Sequence, residues 1–174
     1  MYRLNPGLTE WAYQLTKDIE LPDDPSVQHE RDLYTKHPNA RGKPKVIRGD
    51  HIAALTFWHG ALLNDWANRL VEYWTDGKGN MVTSAMEDTG SYLSISWLDK
   101  IERADKDRFM VLRIGSNFTM QPPTRTAAEN LLKETQGYKY AGLEIAVESG
   151  YIVASRVVDE LLENWDQYED TIPT

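Results

Sequence analysis

The sequence predicts an α/β fold with a mostly parallel sheet. Helical and extended segments alternate along the chain, as they do in parallel sheets covered by helices. One apolar, β-prone run, Phe109–Ile114, ends in Gly115-Ser116 and is typical of a buried parallel strand. The length of 174 residues corresponds to one ordinary domain, residues 1–174.

The first predicted element is a helix from Pro6 to Lys17, because apolar residues recur there every three or four positions. Asn5 is its predicted N-cap, with Pro6 at the first helical position. Residues 21–44 form a polar excursion with four prolines, which contains one short helix from Asp24 to Tyr34. Such an insertion is more typical of a functional loop or a connector than of a core.

The middle of the chain opens with a short strand, Lys45–Ile47, which ends at Gly49-Asp50. The most regular amphipathic pattern predicts a helix from Ala61 to Trp74, stopped by the glycines of Asp76–Gly79. The apolar stripe along this helix consists of Leu62, Leu63, Trp66, Leu70, Val71 and Trp74.

The second predicted strand is Met81–Thr83, followed by a helix from Tyr92 to Ile101. The run Phe109–Ile114 is the third strand, and two helices complete the chain, Thr126–Glu134 and Ala141–Asp166. The residues expected to face inward on the last helix are Ile145, Ile152, Val153, Val157, Leu161, Leu162 and Trp165.

Composition argues against several classes of function. With 19 Lys and Arg against 27 Asp and Glu, the net charge of −8 would repel nucleic acids and anionic membranes. The sequence has no cysteine, which excludes disulfides, iron–sulfur clusters and thiol nucleophiles. No membrane-spanning run or signal peptide is apparent, and this leaves the compartment open.

The four histidines are predicted to lie in loops without metal-ligand spacing, so no metal site is predicted; they are His29, His37, His51 and His59.

Candidate site residues lie beside predicted strand ends, where open α/β sheets bind ligands. Phe57 and Trp58 are adjacent aromatics in the segment Leu55–Gly60 and form a possible stacking platform for a flat ligand such as a nucleobase. The alternative is that both rings simply fill the core, which is the commoner use of such residues.

A second segment, Ser84–Gly90, carries adjacent carboxylates at Glu87 and Asp88. Neighbouring helical positions point in different directions, so the two are not expected to share a proton as an acid–base pair. One carboxylate at a strand end can instead accept hydrogen bonds from two sugar hydroxyls. Asp88 is predicted to cap the helix that begins near Thr89, which leaves Glu87 for that role.

A third segment places Asn117 after the predicted strand Phe109–Ile114. An amide both donates and accepts, which suits the edge of a purine ring, but formation of a turn explains the residue equally well. A fourth segment, Thr126–Glu129, has the pattern of a capping box and by itself indicates only the start of a helix.

Together these segments resemble the C-terminal half of the purine nucleoside permease family, over nearly the whole chain. The matching runs are Tyr2–Gly7, Gly49-Asp50, Thr56–Asn64, Trp74–Gly79, Met86–Gly90, Leu112–Phe118, Thr126–Glu129, Glu160–Asp166 and Asp170–Pro173.

That resemblance implies a part in nucleoside uptake and a three-layer α/β/α fold, a soluble relative of the nucleoside phosphorylases. It also implies that the chain lacks the N-terminal half of that fold, with its phosphate-binding loop. No cofactor is expected, and phosphate would be a ligand only if a complete protein were a phosphorylase. A full-length relative with an export signal would be periplasmic or on the cell surface.

The resemblance also assigns site residues. Met86 and Glu87 match the pair that holds the ribose, while Phe57 and Trp58 stand where an aromatic stacks on the base. Ser116-Asn117 matches a Ser-Asp pair whose acid protonates the purine in phosphorylases.

The Arg that assists this acid follows a Thr-Ala-Ala-Glu helix start, and here Asn130 takes its place after Thr126–Glu129. Because neutral amides stand at both positions, the resemblance favours purine nucleoside binding over cleavage of the N-glycosidic bond. Two alternatives stay open: a phosphorylase or nucleosidase, and an inactive fragment whose sheet is completed by a partner chain or a second copy.

Overall fold

The computed structural model describes residues 1–136 and 142–174. In these residues the helices and strands follow one another in this order: α1 (Pro6–Thr16), α2 (Pro25–Asp32), β1 (Asp50–Ala53), α3 (Ala61–Trp74), β2 (Met81–Ala85), α4 (Asp88–Asp99), α5 (Ala127–Thr135), α6 (Leu143–Glu163) and α7 (Trp165–Tyr168). Two short 3₁₀ helices cover Pro38–Arg41 and Lys106–Arg108.

The start of α1 follows the predicted capping. The Asn5 side chain accepts hydrogen bonds from the backbone N–H groups of Gly7 (2.9 Å) and Leu8 (3.2 Å). Leu8 is buried and fixes the helix against the rest of the chain. The N-cap predicted at Asn5, with Pro6 at the first helical position, is therefore confirmed in the folded chain.

The polar excursion, residues 21–44, is anchored at several points. Arg31 makes a bidentate ion pair with Asp23, with both N–O distances at 2.7 Å. Tyr34 is buried, and its hydroxyl donates to the backbone oxygen of Met120 at 2.8 Å. The helix inside the excursion, α2, is two residues shorter at its C-terminus than the Asp24–Tyr34 prediction and is capped by Asp24.

The sheet of the described residues consists of β1 and β2, which run parallel and are joined through α3. Ala53 pairs with Ala85 at the last position of both strands, so the carboxyl ends of the two strands lie side by side. This parallel pair with a helical crossover agrees with the predicted α/β class.

The strand predicted at Lys45–Ile47 is wrong, because the first strand begins only at Asp50. Asp50 lies opposite Met81, the first residue of β2, so no strand of the described residues lies beside the residues before Asp50. Ile47 accordingly stays exposed.

The strand predicted at Phe109–Ile114 is also wrong: the run has no regular secondary structure and belongs to neither strand of the sheet, and Leu112 and Ile114 are exposed. A β-prone sequence becomes a strand only where another strand supplies hydrogen-bond partners. Here the backbone of the run pairs with no strand among the described residues.

Helix α3 has the predicted bounds, and its apolar stripe does not form a buried face. Leu62 is 82% exposed and Trp74 61% exposed, and only Ala67 is fully buried in this helix. Helix α4 begins four residues earlier than predicted, at Asp88.

The last predicted helix, Ala141–Asp166, is divided between α6 and α7, and Ala141 lies outside the described residues. Val153 is buried as predicted, whereas Leu162 and Trp165 are exposed and do not face inward.

The accessible surface of the chain is 11873 Å². A compact folded monomer of 20.0 kDa exposes about 8,700 Å², so this chain exposes about 3,200 Å² more. Helix α3 carries several exposed large apolar side chains, namely Leu62, Leu63, Trp66, Tyr73 and Trp74. No helix in residues 1–136 or 142–174 is both long enough and apolar enough to cross a membrane.

Candidate functional site

The loops that follow β1 and β2 leave the sheet at the same edge, which we call the carboxyl edge. Phe57 and Trp58 lie in the loop after β1, and Met86 and Glu87 come directly after β2. Because the two parallel strands end in register, these loops start beside each other. Ligands of open α/β sheets bind outside such an edge.

The two aromatics after β1 have different environments. The ring of Trp58 is buried, at 7% exposure, and stacks on Trp66 with centroids 5.2 Å apart. Phe57 is 42% exposed and stacks on His59 at 5.9 Å. Trp58 thus fills the core beneath the start of α3, and Phe57 is the more accessible platform.

Gly60 joins this loop to α3 in a backbone conformation that favours glycine, with φ of 91°. Its N–H donates to the backbone oxygen of Thr119 at 2.8 Å. A Cβ at this position would lie 3.1 Å from the Cβ of Ala127. Glycine therefore allows the loop to turn into the helix while the chain passes close to Thr119 and Ala127.

A cluster of charged side chains lies at the end of β2. The Nη2 atom of Arg113 is 2.5 Å from Oε2 of Glu87 and 2.7 Å from Oδ2 of Asp88, and its Nε is 2.8 Å from the same Asp88 oxygen. The hydrogen bond from Arg113 holds the pKa of Glu87 below its usual range. Glu87 is therefore an anion at neutral pH, and its side chain is 68% exposed.

The prediction that Asp88 caps α4 is wrong. Asp88 is the first residue of the helix, Glu87 occupies the cap position, and no side chain makes a capping hydrogen bond there. The Asp88 carboxylate instead contacts the guanidinium of Arg113 and the ring of His51.

His51 belongs to β1 and His29 to α2, so the prediction that all histidines lie in loops is wrong for these two. The Nδ1 atom of His51 is 2.8 Å from the Thr83 hydroxyl, and its Nε2 atom approaches Asp88 Oδ2 obliquely at 2.7 Å. Burial lowers the pKa of His51, although the Asp88 carboxylate opposes the shift. The imidazole is consequently neutral at pH 7 and needs Thr83 as a partner for Nδ1.

Asn117 lies in a loop that packs on the start of α3. Its side-chain oxygen accepts from the Ser116 hydroxyl at 3.1 Å, and its amide nitrogen donates to the backbone oxygen of Phe118 at 3.2 Å. These bonds are those of a local turn. Within the described ranges, no hydrogen bond, ion pair or ring contact joins Asn117 or Phe57 to Glu87.

The capping box at the start of α5 is confirmed: the Thr126 hydroxyl accepts from the Glu129 N–H at 3.2 Å, and the Glu129 carboxylate accepts from the Thr126 N–H at 2.8 Å. Asn130 follows and is 1% exposed, with its oxygen 3.4 Å from the guanidinium of Arg125. Its amide nitrogen has no hydrogen-bond partner among the residues that the structure describes.

Beside Asn130, Glu30 is held by two cations. Burial alone would raise the pKa of Glu30, but hydrogen bonds from Lys133 and Arg125 hold that pKa below its usual range. The contact with Lys133 ties α2 to α5, and the contact with Arg125 ties α2 to the residue before the Thr126 cap.

Two clefts open elsewhere on the chain. One of about 240 Å³ lies at the start of α3 and is lined in part by Lys36, His37, Gln121 and Arg125. Another of about 520 Å³ lies between the excursion and Ile152 of α6. Neither cleft is lined by Phe57, Glu87 or Asn117. Residues 1–136 and 142–174 contain no group of three or more His, Asp or Glu side chains that could hold a metal ion.

Sequence reasoning missed His51, Thr83 and Arg113, which form contacts across 25 residues or more of the chain. Arg113 pairs with a carboxylate 25 residues before it and His51 with a hydroxyl 32 residues after it. For His51 and Thr83 the available signal was the order of the parallel strands, which places β1 beside β2.

The described residues thus form an α/β domain with a parallel βαβ unit, an exposed carboxylate at Glu87 and an exposed aromatic ring at Phe57, both in loops at its carboxyl edge. The sequence profile of the purine nucleoside permease family matches residues 1–173. The chain belongs to the purine nucleoside permease family, and the resemblance seen in its motifs is confirmed.

Two relatives illustrate the similarity. The chain is 26% identical over 168 residues to a purine nucleoside permease of Candida albicans, which covers 96% of this chain and 40% of that protein. It is 24% identical over 168 residues to a Schizosaccharomyces pombe protein that carries the same family name, with coverage of 97% and 47%. The chain thus spans less than half the length of these relatives. No solved structure matches it.

Proposed function

We propose that this chain binds purine nucleosides as part of their uptake. The observation that carries the proposal is the exposed, ionised carboxylate of Glu87 at the carboxyl edge, in a chain whose family is named for purine nucleosides. A carboxylate only accepts hydrogen bonds, and the two hydroxyls of a ribose are two donors. Membership in the family supports the substrate class, and the carboxyl edge supplies the chemistry.

Each proposed contact uses a different part of the nucleoside. Glu87 accepts from the ribose hydroxyls, and Met86, which is also exposed, packs on the sugar ring. Phe57 stacks on the base, with Trp58 as the rigid support of its loop. Ser116 and Asn117 face the purine edge in this proposal, which requires the Asn117 amide to exchange its local turn bonds for the ligand.

The experiment is an equilibrium titration of the chain with adenosine, guanosine, cytidine and ribose. Measurable binding of the two purine nucleosides, with cytidine weaker and ribose weaker still, is the expected order because larger bases stack over a larger area. Absence of binding by both purine nucleosides would end the proposal.

Cleavage of the N-glycosidic bond is the alternative that this proposal sets aside. The resemblance of the motifs matches two neutral amides to the acid and the helper of phosphorylases, and of these Asn117 makes the hydrogen bonds of a turn and Asn130 is buried in α5. An assay for free purine, with and without phosphate, separates the two functions. Release of purine would support an enzyme, and a requirement for phosphate would identify phosphorolysis.

A second candidate is a chain that is inactive alone and is completed by another polypeptide or a second copy. One partner's share of a permanent interface is about 1,000–2,500 Å², half of the total that both partners bury, and the surface excess of this chain, about 3,200 Å², is larger than that share. Sedimentation equilibrium combined with chemical unfolding tests this candidate. A monodisperse monomer that unfolds in one cooperative transition would argue against it.

A further inference from the structure

Four side chains from three parts of the chain meet at the end of β2. Glu87 follows the strand and Asp88 begins α4, Arg113 comes from the run Phe109–Ile114, and His51 comes from the neighbouring strand β1. We call this group the Arg113 cluster. It lies directly beside the carboxylate that the proposed function assigns to the ribose.

Within the Arg113 cluster, only Glu87 reaches far into solvent. Its side chain is 68% exposed, whereas the side chains of Arg113, Asp88 and His51 are 29%, 20% and 16% exposed. A half-buried guanidinium between two carboxylates is firmly held, because its planar fork makes several hydrogen bonds at once.

The contact fixes one oxygen of Glu87 and leaves the other available. Oε2 accepts from Arg113 Nη2 at 2.5 Å and from the backbone N–H of Met86 at 3.3 Å. Oε1 accepts no hydrogen bond from any residue in the described ranges. The carboxylate is therefore oriented by one oxygen and presents the other to solvent at the carboxyl edge.

Asp88 in turn holds Arg113. Its Oδ2 contacts two atoms of the guanidinium, Nε at 2.8 Å and Nη2 at 2.7 Å. His51 approaches the same oxygen at 2.7 Å while its other nitrogen is 2.8 Å from the Thr83 hydroxyl. The anchor of Arg113 is thus tied to both strands of the sheet.

Orientation of this kind matters for binding. An exposed glutamate side chain that nothing restrains loses rotational freedom when a ligand immobilises it. This loss of conformational entropy weakens binding. Since Arg113 already restricts Glu87, a ribose that binds there need not order it.

We propose that Arg113 is a positioning residue that orients Glu87 toward the two ribose hydroxyls, and that Asp88 and His51 fix Arg113 in that role. This inference rests on the proposed function, because it assigns Arg113 to the same nucleoside site. If the role of Arg113 were structural, its contact with Asp88 would only hold the run Phe109–Ile114 against the start of α4. The two roles differ in their effect on discrimination between sugars.

The test compares the Kd of adenosine with that of 2′,3′-dideoxyadenosine, which lacks both hydroxyls, for the unmodified chain and for Arg113→Met. Arg113→Met is expected to weaken adenosine about tenfold and to leave the dideoxy analogue unchanged. In a Glu87→Gln background, the same substitution is expected to have little further effect, because the two residues act as a unit. If Arg113→Met leaves the ratio of the two dissociation constants unchanged, whether both ligands weaken equally or neither weakens, the inference is overturned.

The control is Arg69→Met, which removes an exposed arginine that pairs with Asp65 four residues away on α3 at 3.0 Å. It should leave both dissociation constants unchanged. If Arg113→Met does not fold, Arg113→Lys decides: it keeps the charge but not the fork, and a reduction of about threefold in the adenosine preference is expected. An unaltered preference in Arg113→Lys would contradict the inference.

The failures can be told apart. If the unmodified chain binds no adenosine, the proposed function falls and the inference falls with it. If the chain prefers adenosine to the dideoxy analogue and Glu87→Gln removes that preference while Arg113→Met retains it, only the role of Arg113 is refuted.

Discussion

Trp58→Ala is expected to lower the free energy of unfolding by about 3–5 kcal/mol. The indole is 7% exposed and stacks on Trp66 at 5.2 Å, with an angle of 12° between the ring planes. Alanine would leave a cavity under the first turn of α3 and remove this ring contact. Chemical denaturation followed by circular dichroism measures the change.

Phe57→Ala is the matched control, since Phe57 is the adjacent aromatic but is 42% exposed. Its loss of stability should be about 1 kcal/mol. Equal stability losses in the two variants would contradict the division of the pair into a core residue and an accessible platform.

Tyr34→Ala should lower the free energy of unfolding by a similar amount, about 3–5 kcal/mol. Tyr34 is 4% exposed, its ring centroid is 4.2 Å from that of Phe118, and its hydroxyl donates to the Met120 oxygen at 2.8 Å. Burial and the carboxylates of Glu134 and Glu30 raise the pKa of the phenol, so it remains a donor throughout the range in which the chain can be studied.

Tyr34→Phe separates the two contributions of this residue. It keeps the ring and removes only the hydrogen bond to Met120, so a loss of about 1 kcal/mol is expected. Limited proteolysis should also cut the excursion, residues 21–44, faster in Tyr34→Ala than in Tyr34→Phe. Identical unfolding midpoints for both variants would show that the ring does not anchor the excursion.

Helices with local signals could be predicted closely from the sequence. The bounds of α3 were predicted correctly because an amphipathic run lies between Gly60 and the glycines that follow Asp76. The starts of α1 and α5 were predicted because Asn5 and Thr126 cap them through residues two or three positions away. Such signals act within one helical turn and need no information about the rest of the fold.

Strands could be predicted less well, because a strand depends on a neighbour that is distant in sequence. Met81–Thr83 became part of β2 since β1 lies beside it, whereas Lys45–Ile47 and Phe109–Ile114 found no such neighbour in the described residues. The apolar stripe of α3 remains exposed for a related reason. Periodicity shows that a helix has an apolar face, but it does not show which part of the chain covers that face.

The candidate site shows the same limit. Consecutive parallel strands place Phe57 and Glu87 at one edge, and this much follows from the order of the segments. The pairing of Arg113 with Glu87 and Asp88 does not, since no pattern in the sequence distinguishes Arg113 from the other cations. The assignment of Asp88 as a cap failed because an ion pair with Arg113 competes for the same carboxylate.

The central claim is that Glu87 receives the ribose hydroxyls of a purine nucleoside, and a calorimetric titration of Glu87→Ala tests it most directly. Hydrogen bonds to a charged acceptor contribute about 1.5–3 kcal/mol, so adenosine should bind about 10- to 100-fold more weakly. Binding of 2′,3′-dideoxyadenosine should be unaffected, as should both ligands in the control Glu163→Ala, an exposed glutamate at the end of α6. If Glu87→Ala binds adenosine as tightly as the unmodified chain does, Glu87 does not hold the ribose and the claim is wrong.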